Sequence, residues 1–250
     1  MVSFILILKV LAPSNTGIIT LQLACLIILP CLLIRILLLL PINVLASAQT
    51  QNFHMNRLSK VCPYLAGTPD KGLLFTPDPT QSLHCFVDAA FAGLWNVGDS
   101  QDPISIMSST GFVLFNGGCP LLWLSKLQTK IALSTTEAEY IALSQSLCDV
   151  IPLLGLLAEL QNVFTFATKQ ALLSCSLFED NAGALTLATD HKTCPRTKHI
   201  GLKYHHFRGH VMSDLVKILP ITTFEQTAVI FTKPLPAFTL KYLCKNLMGW

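Results

Sequence analysis

Short apolar runs separated by turn residues begin after residue 82, and this pattern predicts a series of buried strands. The runs at 83–91, 110–118 and 120–126 predict the first three strands, and a Gly-Gly-Cys-Pro turn between the last two predicts a hairpin. Apolar residues at helical spacing follow over about 135–160, where Pro152 is expected to bend the helix. This part of the chain therefore predicts three strands followed by one long helix.

The pattern then alternates between strands and helices. An apolar run at 171–178 predicts a fourth strand, and the short apolar segment 182–189 predicts a helix. A further helix is predicted over about 196–212, a last strand over 215–222, and a short helix near the end of the chain. This order predicts an α/β or α+β domain in which helices flank a mixed sheet.

The first fifty residues have a different composition from the rest, because Lys9 and Arg35 are their only charged side chains. Residues 18–40 are apolar over a length that could cross a bilayer core, which needs about 20 residues. Three interpretations stay open for residues 1–50. They are a membrane anchor, a secretory signal ending near the small residues 46–48, and pyrimidine-rich DNA translated outside its original reading frame.

Charge is distributed unevenly along the chain. Residues 183–250 hold nine Lys and Arg against three Asp and Glu, whereas residues 1–182 hold eight against eleven. This local excess favours a polyanionic partner, although a solvated basic face has the same composition. The nine cysteines form no C-x-x-C pair and several lie in apolar runs, so we expect buried thiols in a reducing, intracellular compartment.

Three acidic residues occupy positions where α/β sheets place their functional sites. Asp88 lies at the end of the first strand, Glu137 in the first turn of the long helix, and Asp180 at the end of the fourth strand. Each one alone is more often a turn former or a helix cap. Ser134 and Glu137 have the S-x-x-E spacing of a capping box, so a cap and a metal ligand are both open for Glu137.

Several long motifs resemble one known family, the ribonuclease H domain of copia-class LTR retrotransposon polyproteins. The matching segments are FVDAAFAGLW, SSTGFVLFNGGCPLLWLSKLQTKIALSTTEAEYIALS, EDNAGAL, PRTKHIGLKYHHFR and IFTKPL, in the order of the family. The segment YLAGTPDKGLLFTPD is similar to the stretch that joins reverse transcriptase to ribonuclease H. The resemblance covers about residues 55–236. It divides the chain into an apolar segment (1–50), a remnant of the connection to reverse transcriptase (51–82), a ribonuclease H-like domain (83–236) and a C-terminal tail (237–250).

The resemblance implies a five-stranded ribonuclease H-like sheet and hydrolysis of the RNA strand in RNA–DNA hybrids. It implies that Asp88, Glu137 and Asp180 converge around Mg²⁺ or Mn²⁺, with two ions in the intact family. Carboxylates suit this role because Mg²⁺ is a hard cation that takes oxygen ligands. Two such ions can stabilise both the attacking and the leaving oxygen of an in-line displacement. Glu137 is therefore expected to serve both as a cap and as a ligand.

The last motif departs from the family, which has a fourth aspartate in a sequence like ADIFTKPL. This chain has AVIFTKPL, so Val229 occupies that position and offers no lone pair to a metal. Glu225 lies about one helical turn earlier and is a candidate substitute. We expect a weak or inactive enzyme. The alternatives are a catalytically dead nucleic-acid-binding or membrane-tethered module, and a transposon relic without a selected function.

The basic segment before the last strand predicts contacts to hybrid phosphates, which are neutralised by cationic side chains without regard to sequence. The residues expected there are Lys198, His199, Lys203, His206 and Arg208. Zinc is an alternative for the nearby His and Cys residues, but their spacing fits no zinc finger. The expected partners are an RNA–DNA hybrid, a reverse transcriptase acting in trans, and a membrane contacted by residues 18–40.

Overall fold

The structure is a computed structural model that describes residues 66–67, 72–78, 80–93, 95, 105–163, 174–189 and 202–249. The predicted apolar segment 1–50 and most of the predicted connection 51–82 lie outside these residues. The interpretations of both segments therefore stay predictions.

Five strands form one mixed sheet. They are β1 Leu83–Ala90, β2 Ser109–Asn116, β3 Cys119–Leu127, β4 Cys175–Glu179 and β5 Val216–Pro220. Their order across the sheet is β3-β2-β1-β4-β5. The pairs β1–β2 and β2–β3 are antiparallel, whereas β1–β4 and β4–β5 are parallel. The predicted five-stranded mixed sheet is thus confirmed, and β1 lies at its centre.

Helices and single turns connect and cover the strands. They are α1 Thr135–Val163, α2 Ala182–Thr189, α3 Arg208–Met212, α4 Ala237–Met248 and the 3₁₀ turns Leu202–His205 and Thr227–Phe231. The helix predicted over 196–212 is, in its described part, a 3₁₀ turn followed by the five-residue helix α3. Tyr204 lies in the 3₁₀ turn and Phe207 directly before α3, and both side chains are buried.

The sheet has a core on each face, because successive side chains of a strand point to opposite sides. On one face, Cys85 and Val87 of β1 pack with Ile141 and Leu147 of α1. On the other face, apolar side chains of β2, of the turn Thr227–Phe231 and of α4 form a second cluster. The carboxylate-bearing end of β1 therefore lies between two packed layers.

One helix among the described residues is long and apolar enough to cross a bilayer, over Thr135–Leu160 of α1. The apolar character of this helix is also explained by its place in the core, because Ile141, Leu143 and Leu147 are buried against the sheet. The helix continues through Pro152, which is exposed. A Pro on the solvent side leaves the carbonyl that loses its hydrogen bond accessible to water.

Candidate metal centre

Asp88 is fully buried near the end of the central strand, where its backbone pairs with Gly111 of β2. Its two carboxylate oxygens accept hydrogen bonds from two consecutive residues that follow the 3₁₀ turn Thr227–Phe231. The Thr232 hydroxyl donates to Oδ2, and the Lys233 ammonium group donates to Oδ1 at 3.1 Å. A segment 145 positions away in sequence thus fixes the Asp88 carboxylate.

Gln226 connects this segment to the strands that carry the site. Its Nε2 donates to the carbonyl of Val87 at 2.8 Å and to the carbonyl of Phe178 at 3.2 Å. The parallel pairing of β1 with β4 ends at Phe86 and Phe178, so the strands diverge beyond that point. The buried Gln226 amide satisfies carbonyls that the diverging strands leave without a ladder partner.

Gly111 permits the close approach of the same segment to β2. A Cβ atom at this position would lie 2.7 Å from Cγ2 of Thr232 and 2.8 Å from Cβ of Phe231. These distances are far below van der Waals contact, so a larger residue would displace the segment. The absent side chain of Gly111 is therefore a condition for the contact between Thr232 and Asp88.

Glu139 extends from the first turns of α1 to the same end of the sheet. Asp88, Glu139 and Asp180 each offer one carboxylate oxygen, and these oxygens all lie within 4.8 Å of one another. One carboxylate oxygen of Glu139, Oε2, is buried without a hydrogen-bond partner. Three clustered carboxylates with an unsatisfied buried oxygen fit a hard divalent cation such as Mg²⁺ or Mn²⁺.

Glu137, which the sequence placed in this group, instead caps the helix. Its Oε2 accepts the backbone N–H of Leu133 at 2.8 Å, and its own N–H donates to Oγ of Ser134 at 3.1 Å. Residues two positions apart on a helix point about 200° apart, so Glu137 and Glu139 face different surroundings. The expected convergence on Glu137 is therefore corrected to Glu139. The capping-box spacing was itself the signal, because it assigns the Glu137 carboxylate to backbone N–H groups.

Asp180 is brought to the cluster by the short connection between β4 and α2. It directly follows Glu179, the last residue of β4. The next residue, Asn181, caps α2 through its Oδ1, which accepts the N–H of Ala184 at 3.0 Å. The sequence Glu-Asp-Asn thus ends a strand, supplies a carboxylate and begins a helix.

The electrostatics of the cluster follow from burying several carboxyl groups together. Burial, with the nearby charges of Asp88 and Glu179, raises the pKa of Glu139 to about 10. Burial also raises the pKa of Glu179 to about 8, although an N–H donated by Asn181 opposes this shift. Burial raises the pKa of Asp88, and the positive charge of Lys233 lowers it again in part. In the metal-free protein at neutral pH, Glu139 and Glu179 therefore hold protons, and a cation bound by Glu139 would release the proton of that group.

Val229, at the predicted position of a fourth carboxylate, lies in the turn that precedes Thr232. Val229 is buried in the turn Thr227–Phe231, and its carbonyl accepts the Thr232 hydroxyl at 3.2 Å. Glu225, the candidate substitute, is exposed and accepts a hydrogen bond from the Thr222 hydroxyl at 3.1 Å. Among the described residues, the group of clustered carboxylates does not include Glu225.

The predicted phosphate-binding residues are placed only in part. Lys198, His199 and the side chain of Lys203 lie outside the described residues. His206 is exposed and contacts Oγ of Ser144 at 3.5 Å. Arg208 donates from Nη2 to the carbonyl of Leu187 at 2.7 Å, so one side of its guanidinium group is engaged within the protein. The described part of the chain shows no His and Cys group arranged for zinc.

Comparisons with known proteins point to mobile genetic elements. The retrovirus-related Pol polyprotein from transposon RE2 of Arabidopsis thaliana is 35% identical over 182 residues, covering 73% of this chain and 12% of that polyprotein. The corresponding polyprotein from transposon TNT 1-94 of Nicotiana tabacum is 35% identical over 197 residues, covering 78% of this chain and 13% of that polyprotein. The chain therefore spans about an eighth of the length of these relatives.

A solved structure is also similar to this chain, namely the N-terminal ribonuclease H domain of a Mycobacterium tuberculosis protein fused to maltose-binding protein. It is 12% identical with a TM-score of 0.40, and the match covers 66% of this chain and 96% of that chain. No family model matches the sequence.

The sheet order and the flanking helices define a ribonuclease H-like domain. The similarity to transposon polyproteins specifies the family to which this domain belongs. The chain is a ribonuclease H-like domain of the copia-type retrotransposon Pol polyprotein family, as its motifs predicted.

Proposed function

We propose that this domain hydrolyses the RNA strand of RNA–DNA hybrids with a divalent cation, and that its activity is weak. Asp88, Glu139 and Asp180 would hold the cation, which is Mg²⁺ or Mn²⁺. The observation that carries the proposal is the approach of their three carboxylate oxygens to within 4.8 Å of one another. Bound there, a divalent cation supplies positive charge that stabilises the charge developing on the cleaved phosphodiester.

The residues of the chain have separate tasks in this proposal. Asp88 is held by Thr232 and by its position in the central strand, so its orientation is fixed before a cation arrives. Glu139 releases its proton when the cation binds, because burial favours its protonated form in the metal-free protein. Asp180 follows β4 directly and is partly exposed, which leaves this side of the cluster open to a substrate phosphate.

Val229 is the reason for expecting weak activity. A carboxylate at this position would add a ligand from the turn that precedes Thr232, whereas valine adds none. A loosely held cation positions the reacting groups poorly, and a displacement of about 1 Å can reduce the rate roughly 100-fold.

The proposal is tested by cleavage of a labelled RNA–DNA hybrid with the full chain in Mg²⁺. We expect weak cleavage by the natural sequence and an increase of about 100-fold in Val229→Asp. Asp88→Asn in the Val229→Asp background should abolish cleavage, while single-stranded RNA serves as the control substrate. Full activity of the natural sequence would contradict the impairment. Hybrid binding without cleavage in Val229→Asp would favour the binding-only alternative instead.

A further inference from the structure

The ammonium group of Lys233 lies beside the carboxylate cluster. Its ammonium nitrogen is 3.1 Å from Oδ1 of Asp88, which is fully buried, while 40% of the Lys233 side chain is exposed. One carboxylate oxygen of Asp88, a proposed ligand of the cation, is therefore already paired with a positive charge. The sequence motifs predicted roles for carboxylate residues and none for Lys233.

The backbone holds Lys233 at this place. Its N–H donates to the carbonyl of Val229 at 3.1 Å, and the preceding residue, Thr232, bonds to the other oxygen of Asp88. Gln226 fixes the start of the same segment against β1 and β4. The stem of Lys233 thus begins at a defined point, whereas its partly exposed side chain has four flexible carbons on which the ammonium group can turn into solvent.

We propose that Lys233 is an internal cation of the cluster, and that a divalent cation must displace its ammonium group from Asp88 in order to bind. This inference rests on the proposed metal site and adds a competitor to it. In the metal-free protein, Lys233 offsets part of the repulsion between the carboxylates of Asp88 and Asp180. When a divalent cation binds, the ammonium group and the ion repel each other, so Lys233 moves toward solvent.

The inference predicts that removing the charge strengthens metal binding. A unit charge a few ångströms from the ion would weaken binding considerably in a buried site, but solvent screens the exposed part of Lys233. We expect Lys233→Met in the full chain to bind Mn²⁺ about tenfold more tightly by isothermal titration calorimetry. Met retains most of the apolar stem, and Lys233→Gln provides a second neutral variant with a hydrogen-bond donor.

Two controls separate this effect from a general change in charge. Lys241→Met removes an exposed lysine of α4 and should leave the affinity for Mn²⁺ unchanged. Lys233→Arg keeps the charge and should also keep the low affinity. Thermal melting provides a second readout. In chelator, Lys233→Met should melt at a lower temperature than the natural sequence. Saturating Mn²⁺ should raise the melting temperature of Lys233→Met by more than it raises that of the natural sequence.

The outcomes distinguish the two proposals. The role of Lys233 would be overturned if both neutral variants bound Mn²⁺ as tightly as the natural sequence or less tightly. The metal site would still stand if the natural sequence bound Mn²⁺ and Asp88→Asn abolished that binding. Absence of Mn²⁺ binding in every variant would overturn both. The inference is supported if both neutral variants bind Mn²⁺ more tightly than the natural sequence and Lys241→Met binds it with unchanged affinity.

Discussion

Two glutamates in the first turns of α1 have different surroundings because of their direction alone. Glu137 turns back to the backbone of Leu133, which satisfies an N–H group before the helix begins. Glu139 turns to the strand ends, where its Oε2 has no hydrogen-bond partner. A buried acceptor without a donor is costly, and a cation is the partner that would satisfy it.

This difference gives a paired prediction. In the Val229→Asp background, Glu139→Gln should lower hybrid cleavage by about 100-fold or more, because an amide neither carries the charge nor binds a hard cation as well. Glu137→Gln should retain cleavage and lower the free energy of unfolding by about 1 kcal/mol or less, since an amide oxygen can still cap. The measurements are hybrid cleavage and thermal melting. Loss of cleavage in Glu137→Gln alone would show that the assignment of the two residues is reversed.

The sequence predicted part of this site at the residue scale. Strand-end positions together with the family resemblance selected Asp88 and Asp180, and the carboxylates of these two residues lie together in the structure. The choice between Glu137 and Glu139 depends on the rotation of α1 against the sheet, which a short polar run does not specify. Lys233 was not singled out, because its partner lies 145 positions earlier and only the folded chain brings the two together.

At the scale of elements, the segment that carries Lys233 depends on its contact with β2. Gly111→Ala should lower the free energy of unfolding by about 1–3 kcal/mol, because the added Cβ overlaps Thr232 and Phe231. Gly155→Ala is the matched control, since that exposed helical glycine has nothing within 4 Å of an added Cβ. Alanine there should stabilise by about 0.5–1 kcal/mol through better helix propensity. Chemical denaturation of both variants checks this, and equal effects would contradict the close approach.

The elements themselves were largely predictable, and the exceptions have physical causes. Apolar runs flanked by turn residues located β1, β2 and β3 to within a residue or two. In its described part, the helix predicted over 196–212 is instead a 3₁₀ turn and a five-residue helix, because the buried pair Tyr204 and Phe207 has helical spacing without lying in one continuous helix. The turn Thr227–Phe231 was not predicted, since its residues are held by contacts to β1 and β2 rather than by a local pattern.

At the scale of the whole molecule, the buried carboxyl groups make stability depend on pH when metal is absent. Glu139 faces Asp88, Glu179, Asp180 and Lys233, and burial raises the pKa of Glu139 to about 10 and that of Glu179 to about 8. A raised pKa means that the folded state binds the proton more tightly than the unfolded state. The stabilisation is complete below the unfolded pKa near 4.5 and is lost as the pH rises through about 8 and then about 10.

The melting temperature in chelator should therefore fall between pH 6 and pH 9, over roughly the range in which Glu179 loses its proton. Glu179→Gln should reduce this fall, because a neutral amide has no proton to lose. Saturating Mn²⁺ should also reduce it, since the cation offsets the charge of the ionised cluster. A melting temperature that is constant or rises over this interval in chelator would contradict the raised pKa values.

The separation of Asp88 from Lys233 along the chain also has a consequence for synthesis on the ribosome. With 145 positions between them and elongation at about 5–20 residues per second, Asp88 is made roughly 7 to 30 seconds before Lys233. During that interval β1, β2 and β3 can pair as an antiparallel meander, while Asp88 has neither its hydroxyl nor its ammonium partner. A nascent chain that ends before residue 226 also lacks the amide that joins the diverging ends of β1 and β4. The centre of the sheet is thus translated early and completed only by the last part of the domain to emerge.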